Sequence, residues 1–321
     1  MTTTTAVRTI ASRPPRFRAV GRTTIRRSQR RAIWLLLLPF LVLFVFSFVV
    51  PLVYAVVESF FTEKRSGLGI GGERAFAGFV NYVNAIQKTD LLEGVGRVLV
   101  FGIVQVPLML IVALALALAV DALKGNYPKF VRLSAFLPYA VPGVIAAILW
   151  AFLYLPGTSP FVAALANVGI DVDFLSSDVV LWSIANIVTW TWTGYNMLVI
   201  YSALTGIPQE LYEAAAIDGA GAWRIAWSIK IPLVAPALVL TTFFSIVGTV
   251  QLYAEPTVLK SYSSAITSGY TPNMAVQDVA FGLNNYGVAA AMAVLLALGT
   301  FVLSFGFLRL ANVITARRAA V

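Results

Sequence analysis

Six stretches of this chain are long and apolar enough to cross a lipid bilayer as helices. A helix needs about 20 mostly apolar residues to span the hydrocarbon core. Within a membrane the backbone polar groups of such stretches must be satisfied internally, which a helix does. We therefore predict an all-α membrane protein with six transmembrane helices. The predicted spans are Ile33–Phe60, Val95–Val120, Val131–Tyr154, Val180–Leu204, Ile231–Ala254 and Gly287–Ala311.

Composition agrees with a membrane protein and excludes several kinds of chemistry. Hydrophobic residues make up 59% of the 321 residues and charged residues only 12%, whereas soluble domains carry about 25% charged residues. The chain has no cysteine and no histidine. Disulfides, thiolate nucleophiles, the usual zinc sites and histidine proton relays are therefore excluded. The first apolar run, Ala32–Phe61, is too long for the core of a cleavable signal peptide, which is about 7–15 residues.

The basic residues predict how the spans are oriented. Nine arginines precede Ala32, and Lys and Arg accumulate in cytoplasmic segments. With the N-terminus inside, 17 of the 23 basic residues fall on the cytoplasmic side. The opposite side holds Pro156–Asp178, which has three aspartates and no basic residue. Both termini are therefore predicted to be cytoplasmic, and Thr62–Gly94 is long enough to form a small external cap.

This orientation divides the chain into three parts. Residues 1–31 are predicted to be a disordered basic cytoplasmic tail, residues 32–316 one six-helix membrane domain, and residues 317–321 a short cytoplasmic tail. Nucleic-acid binding by the arginine-rich tail is a weaker alternative, because no folded nucleic-acid reader accompanies it. We therefore predict no nucleic-acid partner.

A polar insert at residues 207–230 separates the fourth and fifth predicted spans on the cytoplasmic side. Pro208 suits the first position of a helix, where its missing N–H is not needed. Gln209–Asp218 has the composition of a short helix, and Gly219 and Gly221 end it. The insert is placed to meet a soluble partner at the membrane surface. A helix that merely lies on lipid is the alternative.

The residue order of the insert resembles a known family. The run Glu213–Ala220, followed by Ile229–Pro232, is similar to the Glu-Ala-Ala (EAA) motif of permease subunits in bacterial binding-protein-dependent ABC importers. The tripeptide Asp218-Gly219-Ala220 resembles the carbohydrate branch, which includes the maltose and glycerol-phosphate permeases. A phenylalanine that is common near Ala226 in this motif is absent, and Trp227 is the nearby aromatic residue. Shorter similarities occur in family order at Phe76–Tyr82, Arg132–Pro138, Gly248–Pro256 and Ala280–Ala291.

The resemblance implies a type I ABC importer permease fold in which the insert is a cytoplasmic coupling helix. It implies that the insert docks on a separate ATPase through Glu213, Ala214, Ala215, Asp218, Gly219 and Trp223. The implied partners are a second homologous permease in a heterodimer, two ATPase subunits, an extracytoplasmic sugar-binding protein, a carbohydrate and the lipids of the bacterial cell membrane. The chain lacks the Gly-Lys dipeptide of a Walker phosphate loop. It would then be a non-enzymatic subunit without a cofactor or metal of its own, and the partner ATPase would bind ATP and Mg²⁺.

Polar and aromatic side chains concentrate in the fourth and fifth predicted spans and predict a solute pathway. Amides and carboxylates can hydrogen-bond sugar hydroxyls, and aromatic rings can cover the apolar faces of sugar rings. The candidate pathway residues are Trp192, Tyr195, Asn196, Gln251, Tyr253 and Glu255. Hydrogen bonding between helices and an interfacial aromatic belt are the structural alternative. Gln251 and Asn196 are the preferred pathway residues.

Sugar import is the leading hypothesis of three. The second keeps the importer class and changes the solute to phosphate, a peptide or an osmolyte. The third is an ion-coupled secondary transporter or a channel that works alone. Such carriers place ionisable residues in mid-membrane, and Glu58, Glu93, Asp121 and Glu255 all lie at or near span ends. A membrane-anchored regulator is disfavoured further, since no folded soluble domain is evident.

Overall fold

A computed structural model describes residues 27–64, 73–123, 125 and 127–319 of the chain. Most of these residues are helical, which confirms the main feature of the predicted fold class. One two-stranded hairpin departs from the all-α prediction. Of the tails predicted at residues 1–31 and 317–321, residues 1–26 and 320–321 lie outside the described residues.

The chain divides after Val53 into two units. The first unit contains helix α1, Arg27–Phe44, and a π-helical turn, Val45–Val49. Helix α2, Val50–Glu58, follows directly. Because α1 begins at Arg27, the boundary predicted at residue 31 between the tail and the membrane domain falls inside a helix.

The second unit begins at Tyr54, within α2, and contains a small hairpin and the remaining helices. Its strands β1 and β2 are antiparallel, with Phe61 opposite Phe76. The amide of Asn81 donates to the carbonyl of Phe61 at 2.7 Å, which fixes the helix after the hairpin to it. The elements in chain order are β1 Phe61–Lys64, β2 Glu73–Phe76, α3 Val80–Gln87, α4 Leu91–Ala122, α5 Tyr127–Ala140, α6 Gly143–Tyr154, α7 Pro160–Asn167, α8 Val180–Thr205, α9 Gln209–Ile217, α10 Ala222–Ile225, a π-helical turn Ala226–Lys230, α11 Ile231–Leu233, α12 Ala235–Val250, α13 Ala254–Leu259, α14 Pro272–Gln277, a π-helical turn Asp278–Gly282, and α15 Tyr286–Ala319.

Within the described ranges, four helical stretches are long and apolar enough to cross a membrane. They are Ile33–Glu58, Leu91–Ala122, Ala235–Leu259 and Tyr286–Val313. A fifth is added if α5 and α6 are counted as one broken span. These stretches correspond to the first, second, fifth and sixth predicted spans, so the apolar runs located most of the membrane helices.

The predicted third span, Val131–Tyr154, is not one straight helix. It is divided into α5 and α6, whose axes differ by 94°. Pro138 lies inside α5, and Pro142 forms the N-cap of α6 in an extended conformation with ψ 135°. Proline removes a backbone donor and clashes with the preceding turn. The two prolines therefore give a physical cause for the break.

The predicted fourth span is formed as α8, which has 26 residues. Its length suffices for a membrane crossing, but threonines and asparagines along it lower its mean hydropathy, and it is not one of the four strongly apolar stretches. Polar side chains on a membrane helix are costly in lipid and cheaper against other helices. We infer that neighbouring helices cover much of α8, in agreement with its many buried residues.

Helices α4 and α8 form the centre of the second unit. They contact each other along their lengths, while α12 packs on α4 and α5 packs on α8. Small residues of α4, Ala113 and Ala117, are fully buried beside Met197 and Ile200 of α8. Small side chains let membrane helices approach closely and gain van der Waals contact. This central pair positions the candidate functional residues described next.

Candidate functional site

The polar insert begins with a short exposed helix. Helix α9 starts at Gln209, and Pro208 is its N-cap with φ −57° and ψ 133°. The prediction that Pro208 occupies the first helical position is therefore wrong by one residue. Its extended ψ follows from its place at the cap, where the backbone is not yet helical. Glu210 lies in the first turn, where the positive end of the helix dipole favours an anion.

The insert turns sharply after α9 through a glycine. The Gly219 N–H donates to the Ala216 carbonyl at 3.0 Å, and the Ala220 N–H donates to the Ala215 carbonyl at 2.9 Å. Gly219 has φ +80°, in the left-handed region. These are the bonds of a Schellman motif, which closes a helix when the residue after its cap is left-handed. The predicted end of the helix at Gly219 is thus a defined turn.

The residues predicted to contact a partner are gathered on this short segment. Glu213 and Asp218 are exposed, as is the alanine Ala214 between them. Ile217 is 87% exposed and Trp223 is 76% exposed. The Trp223 ring meets that of Trp227 edge-on at 5.7 Å. The insert therefore presents carboxylates beside exposed apolar side chains. Such a combination is suited to binding the surface of another protein.

Trp192 and Tyr195 of the predicted pathway belong to an aromatic cluster between α5 and α8. The Tyr139 ring stacks on Tyr195 at 5.0 Å and meets Trp192 at 5.2 Å. Trp192 is 40% exposed, so one ring of the cluster is accessible. Sequence reasoning missed Tyr139. The signal that could have found it is its place between Pro138 and Pro142, where the third span breaks.

Gly194 brings α5 and α8 together at this cluster. A Cβ at Gly194 would lie 1.9 Å from the Ala135 carbonyl oxygen and 2.9 Å from the Cα of Phe136. No side chain fits there. The close approach is what places Tyr139 of α5 against Trp192 and Tyr195 of α8.

Asn196 does not belong with the exposed pathway residues. Only 2% of it is exposed. Its amide donates to the Trp192 carbonyl at 3.1 Å and approaches the Met109 sulfur at 3.7 Å. Asn196 therefore bonds between α8 and α4, as the structural alternative anticipated, because burial forces a polar group to find a partner. The preference for Asn196 as a pathway residue is not supported by this geometry.

Gln105 of α4 lies in the same buried region and was missed by sequence reasoning. Its amide nitrogen donates to Thr189 of α8 at 3.3 Å, while its side-chain oxygen is buried without a hydrogen-bond partner in the described part of the chain. The sequence signal that could have identified Gln105 is its position as a lone amide in the apolar run of the second predicted span. A buried unpaired oxygen is costly, and this one marks a polar spot between α4 and α8.

Gln251, Tyr253 and Glu255 lie where α12 ends and α13 begins. Gln251 is the C-cap of α12 and is exposed. The Tyr253 hydroxyl donates to the side-chain oxygen of Gln277. A Glu255 carboxylate oxygen lies 3.6 Å from the position of a Cβ at Gly143, the first residue of α6. Glu255 thus lies at the helix start that follows the break in the third span.

The break between α5 and α6 therefore adjoins both groups of predicted pathway residues. Tyr139, just before the break, contacts Trp192 and Tyr195. Gly143, just after it, adjoins Glu255. Helices that break at membrane depth place backbone dipoles next to a solute site in many transporters. Aromatic rings therefore lie on one side of the break and a carboxylate on the other, and both kinds of group can bind a neutral hydroxylated solute.

A cavity of about 560 Å³ lies elsewhere, between α6, α7 and α8. Its lining is mostly apolar and includes Trp150, Phe174 and Trp182 but none of the predicted pathway residues. Its Tyr154 hydroxyl donates to the Ser183 carbonyl at 3.0 Å. A site with few free polar groups does not suit a sugar, so we do not place the solute there.

Metal binding finds no support within the described ranges. No group of three or more His, Cys, Asp or Glu side chains there could hold an ion. The absence of a cofactor stays a prediction.

The fold and the insert define a class of protein. The described part of the chain has several apolar helices, one of them broken, that carry polar and aromatic residues, and an exposed polar insert joins two of the helices. These features describe a multi-pass helical transport component. This chain belongs to the family of binding-protein-dependent transport system inner membrane components, whose family model matches residues 111–315. It is therefore a multi-pass inner-membrane protein, and the family is one of non-catalytic transport subunits.

Curated relatives of the chain are permease proteins. The chain is 29% identical over 294 residues to the lactose transport system permease protein LacF of Rhizobium radiobacter, an alignment that covers 88% of this chain and 96% of LacF. It is 34% identical over 216 residues to the sn-glycerol-3-phosphate transport system permease protein UgpA of Rhizobium meliloti (strain 1021), which covers 67% and 70%. It is 26% identical over 264 residues to the diacetylchitobiose uptake system permease protein NgcF of Streptomyces coelicolor, which covers 76% and 73%.

Solved structures agree on the fold. A chain of a bacterial ABC transporter that imports the acidic polysaccharide alginate matches with TM-score 0.76 and 19% identity, covering 90% of this chain and 96% of that one. A chain of the MetNI methionine ABC transporter matches with TM-score 0.51 and 16% identity, covering 70% and 95%. At such identities the similarity establishes the fold alone.

Proposed function

We propose that this chain is the membrane-spanning permease subunit of an ATP-driven sugar importer. The observation that carries this proposal is the exposed insert, in which α9, the Gly219 turn and α10 display the residues that resemble the EAA motif. Family membership supplies the transport class. Relatives that are named for lactose and diacetylchitobiose support a carbohydrate solute.

The proposed topology has six spans. Helix α8 and the broken pair α5 and α6 supply the two crossings that are less apolar or less straight than the other four. The N- and C-termini then lie in the cytoplasm, with residues 1–31 as a basic tail, 32–316 as the membrane domain and 317–321 as a C-terminal tail. Residues 207–230 form the cytoplasmic coupling loop, and α9 is its coupling helix.

The proposed assembly contains four further polypeptides. They are a second, homologous permease in a heterodimer, two ATPase subunits and an external sugar-binding protein. Exposed apolar residues such as Trp223 and Ile217 give the insert a surface for an ATPase. A crystal structure that resembles this chain contains an alginate transporter with a periplasmic protein, which supports an external binding partner. ATP and Mg²⁺ would be bound by the ATPase.

In the proposed mechanism nucleotide supplies the differential binding energy for alternating access. Closure of the ATPase dimer moves the insert as a rigid body, because the Schellman bonds hold α9 to the turn at Gly219. The spans then open outward and take solute from the binding protein. A ligand shifts a conformational equilibrium only by its differential affinity for the two states, and here the nucleotide bound by the partner provides that difference.

A second candidate solute is sn-glycerol-3-phosphate, because UgpA is 34% identical to the matched part of this chain. A phosphate group is usually bound by arginine, lysine or a helix N-terminus. The candidate pathway residues include no basic side chain and one acid, Glu255. Neutral sugars therefore fit the pathway better.

Purification of the assembly from native membranes tests the proposal most directly. We expect an ATPase, a second permease and a binding protein to accompany this chain. In proteoliposomes, ATP hydrolysis should be stimulated by binding protein loaded with one member of a panel of sugars. A panel that includes glycerol-3-phosphate separates the two candidate solutes. Solute movement by the isolated polypeptide, without a partner ATPase, would overturn the proposal.

Replacement of Glu213 by alanine should weaken ATPase docking. Glu213 is exposed on α9 and can form a charged contact with a partner. We expect the amount of co-purified ATPase and the rate of sugar uptake to fall, while membrane insertion is unchanged. Asp171→Ala, which changes another exposed acid far from the insert in sequence, serves as the control. Equal ATPase recovery and uptake in both variants would contradict the docking role.

Replacement of Gln251 by alanine should slow sugar uptake without loss of assembly. Gln251 is exposed at the C-cap of α12 and offers a free amide to a solute. A lost hydrogen bond to an uncharged group corresponds to about 0.5–1.5 kcal/mol, so uptake at low sugar should fall about 2–12-fold. Uptake kinetics in proteoliposomes, normalised to the amount of assembled complex, measure this effect. Unchanged kinetics would assign Gln251 a structural role.

A further inference from the structure

Three polar residues from distant parts of the chain meet where the insert rejoins the helices. The Lys230 ammonium lies 2.5 Å from a carboxylate oxygen of Asp121. Lys230 ends the π-helical turn after α10, and Asp121 lies in the last turn of α4. The Lys230 nitrogen also lies 4.8 Å from the centre of the Tyr212 ring, which belongs to α9. One ammonium thus touches both α4 and the insert helix.

The pair is better shielded than a surface ion pair. The Lys230 and Asp121 side chains are 16% and 17% exposed, and exposed pairs contribute little because water screens them. The Tyr212 hydroxyl is buried and has no hydrogen-bond partner among the described residues. Burial raises the pKa of the Tyr212 hydroxyl, and the negative charge of Asp121 raises it further. Tyr212 therefore stays a neutral ring beneath the ammonium.

The helix dipole does not explain why an acidic residue lies at position 121. A carboxylate in the last turn of α4 faces the negative end of the helix dipole, which is unfavourable. A cation at the same place would suit that end. The acid is compensated by Lys230, which arrives from the insert 109 positions away in sequence. The pairing therefore links two elements rather than capping one.

We propose that Asp121, Lys230 and Tyr212 form a clamp that fixes the coupling insert to the end of α4. The insert is already joined through the chain to α8 before it and to α12 after it. The clamp adds α4, which packs against both of those helices. Movement of the insert then reaches the central pair α4 and α8 together. This inference rests on the proposed coupling function of the insert, and its three members are positioning residues.

Charge reversal tests the clamp in the reconstituted importer. Asp121→Lys and Lys230→Asp each place like charges together and should separate the insert from α4. We expect the amount of sugar moved per ATP hydrolysed to fall about tenfold in each variant. A factor of this size corresponds to an interaction energy that is typical of two contacting residues. The double variant restores an opposite pair and should recover most of the ratio. Lys129→Asp reverses an exposed charge at the start of α5, outside the insert, and should leave the ratio unchanged.

A chemical version keeps the test decisive if the reversed double variant fails to assemble. The natural chain contains no cysteine, so Asp121→Cys with Lys230→Cys can be joined by a short linker that reacts with two thiols. The unlinked protein should show the low ratio, and linking should raise it towards that of the natural protein. Ratios near the natural value in the single reversed variants, or a ratio that stays low after linking, would overturn the clamp.

These outcomes are distinguishable from failure of the proposed function. If the insert did not dock on an ATPase, Glu213→Ala would leave ATPase recovery and uptake normal. If only the clamp were wrong, Glu213→Ala would still reduce both, whereas Asp121→Lys and Lys230→Asp would keep the natural ratio of sugar to ATP.

Discussion

Gly194→Ala is expected to separate α5 from α8 and to abolish sugar uptake. The new methyl carbon would lie 1.9 Å from the Ala135 carbonyl oxygen, and the obstacle is backbone rather than a flexible side chain. Either helix must move for the methyl group to fit. Overpacking of this kind costs typically about 1–3 kcal/mol and occasionally more, and we expect the upper end because two helix backbones are involved. Tyr139 would lose its contacts with Trp192 and Tyr195.

Unfolding in mixed detergent micelles measures the stability change, and uptake in proteoliposomes measures the functional loss. Gly96→Ala is the matched control, since Gly96 also lies in a membrane helix and nothing surrounds the position of its Cβ within 4 Å. That control should be neutral or slightly stabilising, because alanine favours a helix over glycine by up to about 1 kcal/mol. Similar stability of the two variants would show that α5 does not approach α8 as described.

The sequence predicted the long apolar helices because their signal is local. Helix α4 and helix α15 follow from apolar runs that need no knowledge of their neighbours. Pro138 and Pro142 mark the place of the break between α5 and α6. Prolines indicate that a helix bends, but its angle of 94° is set by what each half packs on, and α6 packs on α13.

The sequence did not predict which polar side chains of the candidate pathway are buried and which are exposed, for a physical reason. Residue type identifies polar side chains in a span but not the face on which each lies. Asn196 and Gln251 are both amides, yet Asn196 is buried between α4 and α8 whereas Gln251 is exposed at a helix end. Tyr139 was overlooked because one tyrosine in an apolar run is ordinary. Its role comes from Gly194, more than fifty positions later.

The insert contains one feature that the sequence predicts and one that it does not. The order Glu213–Ala220 gave the helix, its glycine stop and the family resemblance, because helix ends are encoded locally. The pairing of Lys230 with Asp121 could not be read from the sequence. It joins positions 109 apart, and either residue alone is an ordinary charge at the edge of a span.

Gly219→Val is expected to uncouple transport while membrane insertion continues. Gly219 has φ +80°, and a β-branched residue held in such a sparsely populated region costs about 1–3 kcal/mol. The chain can avoid that cost by giving up the bonds from Gly219 to Ala216 and from Ala220 to Ala215. The end of α9 would then fray, and Asp218 would no longer be held in place.

Sugar uptake should then fall at least about tenfold, since each 1.4 kcal/mol of lost docking energy corresponds to a factor of ten, and less ATPase should co-purify. Gly221→Val is the matched control, because Gly221 lies two positions later in the same insert, has φ −72° and ψ 166°, and has open space around the position of a Cβ. Valine is comfortable in that extended conformation, so this variant should transport normally. Equal losses in the two variants would mean that bulk in the insert matters and its turn does not. A selective loss at Gly219 would show that docking depends on a helix end of fixed geometry, held by two backbone hydrogen bonds.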